Sequence, residues 1–355
     1  VNHINTDKQI YYPVKDAPKP YELTKMAKNL FWLRMPMPFT LNHINVWLIE
    51  DDDSWTLIDT GLNFNKSKRY WQKVIKEKLK NKPIKRIICT HLHPDHIGLS
   101  GWLCEQFDAQ LWMSQREYEG YKRIFADITN STLSSVYDFY LSGGASTEQA
   151  KLYDKYMSIY TIFTHSLPNN YKCLVNDEVM TLGGYEWQVV VGSGHSPEHV
   201  CLWCKTLNII ISGDQILPTI SSNISVYPQA PLANPLNDWL RSCKNYINVL
   251  NTQTLVLPAH GKPFTGVIYR LEQLITEIEN NLETLIINCK TPKRIIDGFE
   301  VLFHKEINHK TFMLAYGESK AHFNYLMSLG AITNYVDTNN ITWYRSDLSN
   351  ANKID

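Results

Sequence analysis

Thr90-His91-Leu92-His93-Pro94-Asp95-His96-Ile97-Gly98 places three imidazoles and a carboxylate within six residues, spaced His-x-His-x-Asp-His. Upstream, Ile84-Lys85-Arg86-Ile87-Ile88-Cys89 reads as a short buried strand. Downstream, Ile97-Gly98-Leu99-Ser100-Gly101-Trp102-Leu103 reads as the start of a helix. The cluster therefore sits on a strand-to-helix loop, where neighbouring side chains can converge on one point. Neutral imidazole nitrogens and carboxylate oxygens are donors suited to zinc and similar divalent ions. The competing reading, a chance group of surface histidines, brings no companion motifs.

Companions are present. His195 lies in Val191-Gly192-Ser193-Gly194-His195-Ser196-Pro197, after the apolar run Trp187 to Val191. Asp214 ends Ile209-Ile210-Ile211-Ser212-Gly213-Asp214, and His260 lies in Leu255-Val256-Leu257-Pro258-Ala259-His260-Gly261. Each follows an apolar strand, so all of them are expected to meet at one sheet edge.

With these residues the chain resembles the metallo-β-lactamase-fold hydrolase superfamily. Four motifs occur in that family's order, Ile58-Asp59-Thr60-Gly61 matches its N-terminal Asp signature, and the match covers about residues 40–265. The resemblance implies an α/β fold, a four-layer αββα sandwich. It implies that His91, His93 and His195 hold one metal, that Asp95, His96 and His260 hold a second, and that Asp214 bridges them. Asp59 would fix the metal loop by hydrogen bonds. Two divalent ions, zinc first with manganese or iron as alternatives, would share a water and lower its pKa. The resulting hydroxide would attack an ester or thioester carbonyl, with Asp95 and Asp214 offsetting the cations and moving a proton. His199, four residues beyond His195, is expected to support a ligand and not to be one.

Bulk properties exclude little. At 355 residues the chain has room for a full core and a second small domain. Zero formal net charge gives no global argument for nucleic acid or membrane. No apolar run is long enough for a membrane helix, and the polar start is unlike a signal peptide. Seven cysteines without a disulfide framework suit a reducing cytoplasm. Cys201-Leu202-Trp203-Cys204 falls in an expected strand, which puts the two thiols on opposite faces.

Residues 1–28 read as an extended lead-in, 29–265 as the catalytic domain and 266–355 as a C-terminal domain. Strands are expected at 30–35, 44–50 and 54–58, with Asp51-Asp52-Asp53 as a hairpin turn. Between Lys66 and Arg86, ten basic residues face the single acid Glu77. They read as a solvated helix face, with an anionic partner such as RNA as the alternative. A helical, tyrosine-rich insertion at about 114–170 is of the kind that caps the metal cleft in the superfamily, which favours a bulky, partly apolar substrate. In the tail, a long helix from Val267, a second at Ile295 to Phe303, two more at 311–315 and 319–329, and a hairpin at 331–345 read as a winged-helix arrangement. Such a tail resembles that of one branch of the superfamily. Its third helix lacks arginine, so packing or a homodimer is expected before nucleic acid.

The leading expectation is a metal-dependent hydrolase acting on a small-molecule acyl substrate of the acyl-coenzyme A, acylglutathione or lactone kind. The alternatives are an endoribonuclease cleaving single-stranded RNA, a mononuclear iron persulfide dioxygenase and a metal-sensing DNA-binding regulator.

Overall fold

A computed structural model describes residues 9–80, 82–130 and 133–346. Strands form where β-branched and aromatic residues run together between turn residues. β1 (Thr24–Ala27), β2 (Leu30–Pro36), β3 (His43–Glu50) and β4 (Trp55–Ile58) make an antiparallel meander. After α1 (Asn65–Lys78), β5 (Ile84–Ile88) adds parallel to β4. Helices α2 (Pro94–Ile97) and α3 (Ser100–Phe107) then lead to β6 (Gln110–Ser114), parallel to β5. The insertion follows as α4 (Gln115–Asn130), α5 (Leu133–Ser142), α6 (Thr147–Ala150) and α7 (Leu152–Phe163), before β7 (Lys172–Leu174) completes a seven-stranded sheet. β8 (Val179–Leu182), β9 (Tyr185–Gly192), β10 (His199–Cys204) and β11 (Ile209–Gly213) run antiparallel. After α8 (Pro235–Val249), β12 (Leu255–Pro258) pairs parallel with β11 to complete a sheet of five.

The two sheets enclose one apolar layer. Trp32, Trp47 and Ile88 of the larger sheet meet Trp187, Leu202, Ile211 and Leu257 of the smaller. On the outer side of the larger sheet, α1 turns Tyr70, Trp71 and Val74 inward, and α3 lies against β5 and β6. Beyond the smaller sheet, Tyr246 of α8 donates its hydroxyl to Cys201 Sγ at 3.2 Å. Helix, sheet, sheet and helix therefore follow one another as in an αββα sandwich. Cys204 joins the layer between the sheets while Cys201 faces α8, so the two point to opposite faces as expected, and all seven cysteines are free thiols.

Several local expectations change. Thr24–Ala27, placed in the lead-in, is the edge strand of the larger sheet, and Tyr11 bridges to Thr265. Half of the basic segment is paired, Lys78 with Glu22, Lys80 and Lys82 with Glu50, Lys85 with Asp53 and Arg86 with Asp51, while Lys66, Arg69, Lys73 and Lys76 of α1 are exposed as a solvated helix face requires. The acidic hairpin turn thus serves as counter-charge to the start of β5.

The chain divides into two compact units. One holds the residues up to Phe125 with Ile159–Ser222 and Asn245–Leu271, and so contains both sheets. The other holds Ala126–Ser158, Asn223–Lys244 and the chain from Glu272. The divisions cut through elements: α4, α7 and α8 begin in one unit and end in the other, as does α9 (Val267–Asn288).

In the second unit the aromatics of the insertion pack on one another. Tyr316 donates to Phe139 O at 2.6 Å, its ring lies 4.8 Å from that of Tyr140, and Gln229 reaches the Tyr153 hydroxyl at 2.7 Å. The tail continues through a 3-10 turn (Ile295–Gly298), α10 (Phe299–Leu302), α11 (Phe312–Ser328) and the hairpin of β13 (Ile332–Val336) and β14 (Thr342–Ser346). Two expected helices at 311–315 and 319–329 are one. At Gly317, between those two expected helices, the chain around Ser225 packs: a Cβ there would lie 2.6 Å from Ser225 Oγ, and Val226 N donates to Gly317 O. Phe323 of α11 packs against Tyr344 with the rings tilted and their centres 4.7 Å apart, and Lys320 Nζ reaches the Tyr344 hydroxyl at 3.0 Å, so this face is turned to its own hairpin. Among the described residues, no helix is long and apolar enough to cross a membrane.

Candidate metal centre

Every strand that leads into the centre ends with a change of direction. β4 ends at Asp59, β5 at the His91–His96 loop, β9 at the His195 loop, β11 at Asp214 and β12 at the His260 loop. The first two belong to the larger sheet and the other three to the smaller, so the donors meet at the mouth between two sheets and not at one sheet edge. Backbone bonds hold that mouth together: Val200 N donates to Thr90 O at 2.8 Å and Asn45 N to Ala259 O at 2.7 Å. Gly213 makes the turn before Asp214 at φ +51°, and a Cβ there would lie 2.6 Å from the His199 ring. Only glycine combines that backbone with that approach.

The predicted donors converge in three overlapping groups: His91, His93 and His195; His91, His96 and Asp214; Asp95, His96 and His260. Within each group the donor atoms lie within 4.8 Å of one another. His91 Nε2 is 2.8 Å from His93 Nδ1 and 3.2 Å from His195 Nε2. Asp214 lies 3.6 Å from His195 Nε2, 3.5 Å from His96 Nε2 and 3.4 Å from His260 Nε2, and Asp95 lies 3.3 Å from His260 Nε2.

The partners behind these rings decide which nitrogen faces the centre. Asp59, at φ +61°, accepts from Thr90 N at 2.8 Å and from the Thr90 hydroxyl, and its Oδ2 accepts from His96 Nδ1 at 2.7 Å. The Thr90 hydroxyl gives its hydrogen to Asp59, so it accepts from His91 Nδ1 at 3.1 Å. The carbonyl of His43, which can only accept, takes His260 Nδ1–H at 2.9 Å. In all three rings the outer partner takes Nδ1–H and leaves Nε2 facing the centre, the arrangement by which outer partners orient metal-bound imidazoles. His199 Nε2 accepts Asp214 N–H at 3.1 Å and so fixes the turn that carries Asp214. The Ser222 hydroxyl bonds Asp214 O from the other side.

Charge follows the same division. Burial and the neighbouring imidazoles hold His91 well below the ordinary imidazole range. Burial, with His195 adding to it, brings His93 down to about 3. Burial also opposes a charge on His96 and His260, but Asp59, Asp95 and Asp214 outweigh it at His96, and Asp214 and Asp95 bring His260 up to about 10. Burial would raise Asp214, yet His260 and His96 hold it well below the carboxylate range. The carboxylates are ionised and positive charge is stabilised between them.

Two atoms test whether a cation fits. His96 Nε2 and Asp214 Oδ1 are buried and have no hydrogen-bond partner. A buried polar atom left this way is costly. A divalent ion among five imidazole nitrogens and two carboxylates would satisfy both, and the donor set suits it.

Other residues support the centre, among them His43, which reads from sequence as no more than a loop or pocket-wall residue. His43 holds His260 through its carbonyl and accepts Gly261 N–H on its ring at 3.2 Å. Asn45 Nδ2 donates to Pro258 O and Gly261 O, and Arg34 Nη2 to Gly261 O at 2.8 Å. Glu117, fully buried, accepts Leu92 N–H at 3.0 Å and Glu198 N–H at 2.6 Å. No local pattern marks these residues, whose partners lie far off in the chain. His165, by contrast, pairs with Glu105 at 3.6 Å and is no part of the donor groups.

The family model described as Metallo-beta-lactamase superfamily matches residues 39–260, and that described as Metallo-beta-lactamase-like, C-terminal domain, matches residues 282–347. A solved structure, a beta-lactamase domain protein from Burkholderia ambifaria, superposes with a TM-score of 0.87 at 33% identity, over 96% of this chain and 99% of that one. A Bacillus subtilis relative named "Probable metallo-hydrolase YqjP" is 25% identical over 325 residues, 89% of this chain and 97% of its own. The acyl-coenzyme A thioesterase MBLAC2 of Homo sapiens is 24% identical over 255 residues, 69% of this chain and 82% of its own.

Proposed function

Because this chain belongs to the metallo-beta-lactamase superfamily and is a metal-dependent hydrolase, we propose that it cleaves carboxylic esters or thioesters at a dinuclear centre. The observation that carries the reading is the set of imidazole nitrogens converging beside two ionised carboxylates. His91, His93 and His195 would hold one ion, Asp95, His96 and His260 the other, and Asp214, close to three of the rings, would touch both. Zinc suits these donors, and manganese or iron(II) would be accepted by the same set. Divalent ions bound there supply Lewis acidity and a water acidified toward neutral pH.

The protein's own part is to position and to move protons. Asp59, Thr90 and His43 keep three imidazoles in one tautomer, so no donor is lost to an inward N–H. Asp95 and Asp214 are partly open to solvent, at 18% and 12% of their side-chain surface. One of them takes the proton of the attacking water and returns it to the departing thiolate or alkoxide. Among acyl-coenzyme A, acylglutathione and lactone substrates, the likeness to an acyl-coenzyme A thioesterase favours the first. Five of the ten basic residues between Lys66 and Arg86 are paired with acids, which leaves less of that segment to an RNA phosphodiester than its composition suggests.

The test is thiol release from a panel of acyl-coenzyme A and acylglutathione thioesters by zinc-loaded protein, with its seven cysteines subtracted. Wild type should release thiol, and Asp214→Asn should lose on the order of 100-fold or more in rate together with bound metal. Full metal occupancy with unchanged turnover in Asp214→Asn would remove the assignment.

A further inference from the structure

Glu117 stands in the first turn of α4 with no exposed surface, where an acidic side chain is ordinarily solvated. No cation pairs with it in the described residues' salt bridges. Two backbone donors, from loops that adjoin strands of different sheets, reach its carboxylate, with the Ser196 side chain beside them. Oε2 accepts the N–H of Leu92, the residue between His91 and His93. Oε1 accepts the N–H of Glu198, three residues beyond His195 and next to His199. The same junction holds Glu198 twice more: Ser114 Oγ donates to its carbonyl at 2.6 Å, and Arg116 N donates to its side chain at 2.9 Å.

We propose that Glu117 is a positioning residue that sets the separation between the His91–His93 pair and His195, and with it the affinity of the metal those three hold. The inference rests on reading these three histidines as the ligands of one ion. A carboxylate suits the task because it accepts at both oxygens, whereas an amide would oppose one N–H with another. The second group, Asp95, His96 and His260, is held by Asp59 and His43 and makes no bond to Glu117, so the effect falls on one metal equivalent.

The experiment is a stepwise chelator competition on the full chain loaded with Zn2+, repeated with Co2+ to follow its visible absorption. Variants are Glu117→Gln, Glu117→Asp and, as control, Glu119→Gln, an exposed neighbour bonded to Gln115. Glu117→Gln should weaken one equivalent about 10–100-fold, leave the other within twofold, and alter the Co2+ spectrum of the weakened ion. Glu117→Asp keeps both acceptors and should recover part of the loss, and it carries the test if Glu117→Gln does not fold. Glu119→Gln should match wild type. Equal weakening of both equivalents, or none, in a folded variant would overturn the proposal. Wild type that bound no metal would instead overturn the functional reading beneath it.

Discussion

Asp59→Asn isolates the outer hydrogen bonds of the centre from everything else. Asn tolerates the left-handed backbone that Asp59 adopts at φ +61°, so the chain need not move. The side chain is nearly isosteric, but no orientation of it satisfies both neighbours. With the amide oxygen toward Thr90, its NH2 meets His96 Nδ1–H. With the oxygen toward His96, its NH2 meets Thr90 N–H. The easiest relief is for His96 to move its proton to Nε2, which places an N–H where the metal needs a lone pair. One bond of 2.7 Å to a charged acceptor is lost, worth about 1.5–3 kcal/mol. Since about 1.4 kcal/mol is tenfold in affinity, the expected loss is roughly 10–100-fold in metal binding, the range found for partners of metal ligands. Competition against a chelator of known affinity measures it, with the thermal midpoint of the metal-free protein as companion. An unchanged metal affinity beside a lowered midpoint would show that Asp59 braces the fold only, and the tautomer argument would fail.

Two other perturbations probe the frame. At Gly98, a Cβ would lie 2.4 Å from Pro94 O and 2.6 Å from both Gly61 O and Phe163 O, all backbone. Gly98→Ala should therefore cost about 1–3 kcal/mol or more, seen as a lower thermal midpoint of the metal-free protein; an unchanged midpoint would contradict that packing. At Glu318 the burial of the carboxyl outweighs its bond from Asn223 and pushes it up to about 7. The folded state then holds a proton that the unfolded chain, with an ordinary carboxyl, has given up. Stability from this group is fullest below the ordinary carboxylate range and is lost as pH rises through about 7. Between pH 5 and 8 wild type should lose more stability than Glu318→Gln, and parallel curves would refute the burial argument.

Much of the centre was legible because its donors sit where strands end. An apolar run followed by Gly or Pro and a His or Asp announces both the strand and the turn that aims the side chain, as at Ile209–Asp214 and Leu255–His260. That the donors come from two sheets was not legible, since strand order depends on contacts far apart in the chain. Glu117 escaped notice for a related reason: at a helix start an acid reads as a solvated residue, and only the meeting of Leu92 and Glu198 reveals its burial. The two helices expected at 311–315 and 319–329 erred in the opposite sense. Gly317, in the gap between them, lacks a side chain and so accommodates the Ser225 segment within one continuous helix. Thr24–Ala27 is four residues long, too short for its alternation to stand out among three prolines upstream.

The measurement that bears most directly on the central claim is an anomalous difference map from crystals of the zinc-loaded protein, collected at the zinc edge. Two peaks are expected in the mouth between the sheets, one enclosed by His91, His93 and His195, the other by Asp95, His96 and His260, with Asp214 reaching both. Zinc bound elsewhere, or these seven side chains turned away from the metal, would contradict it.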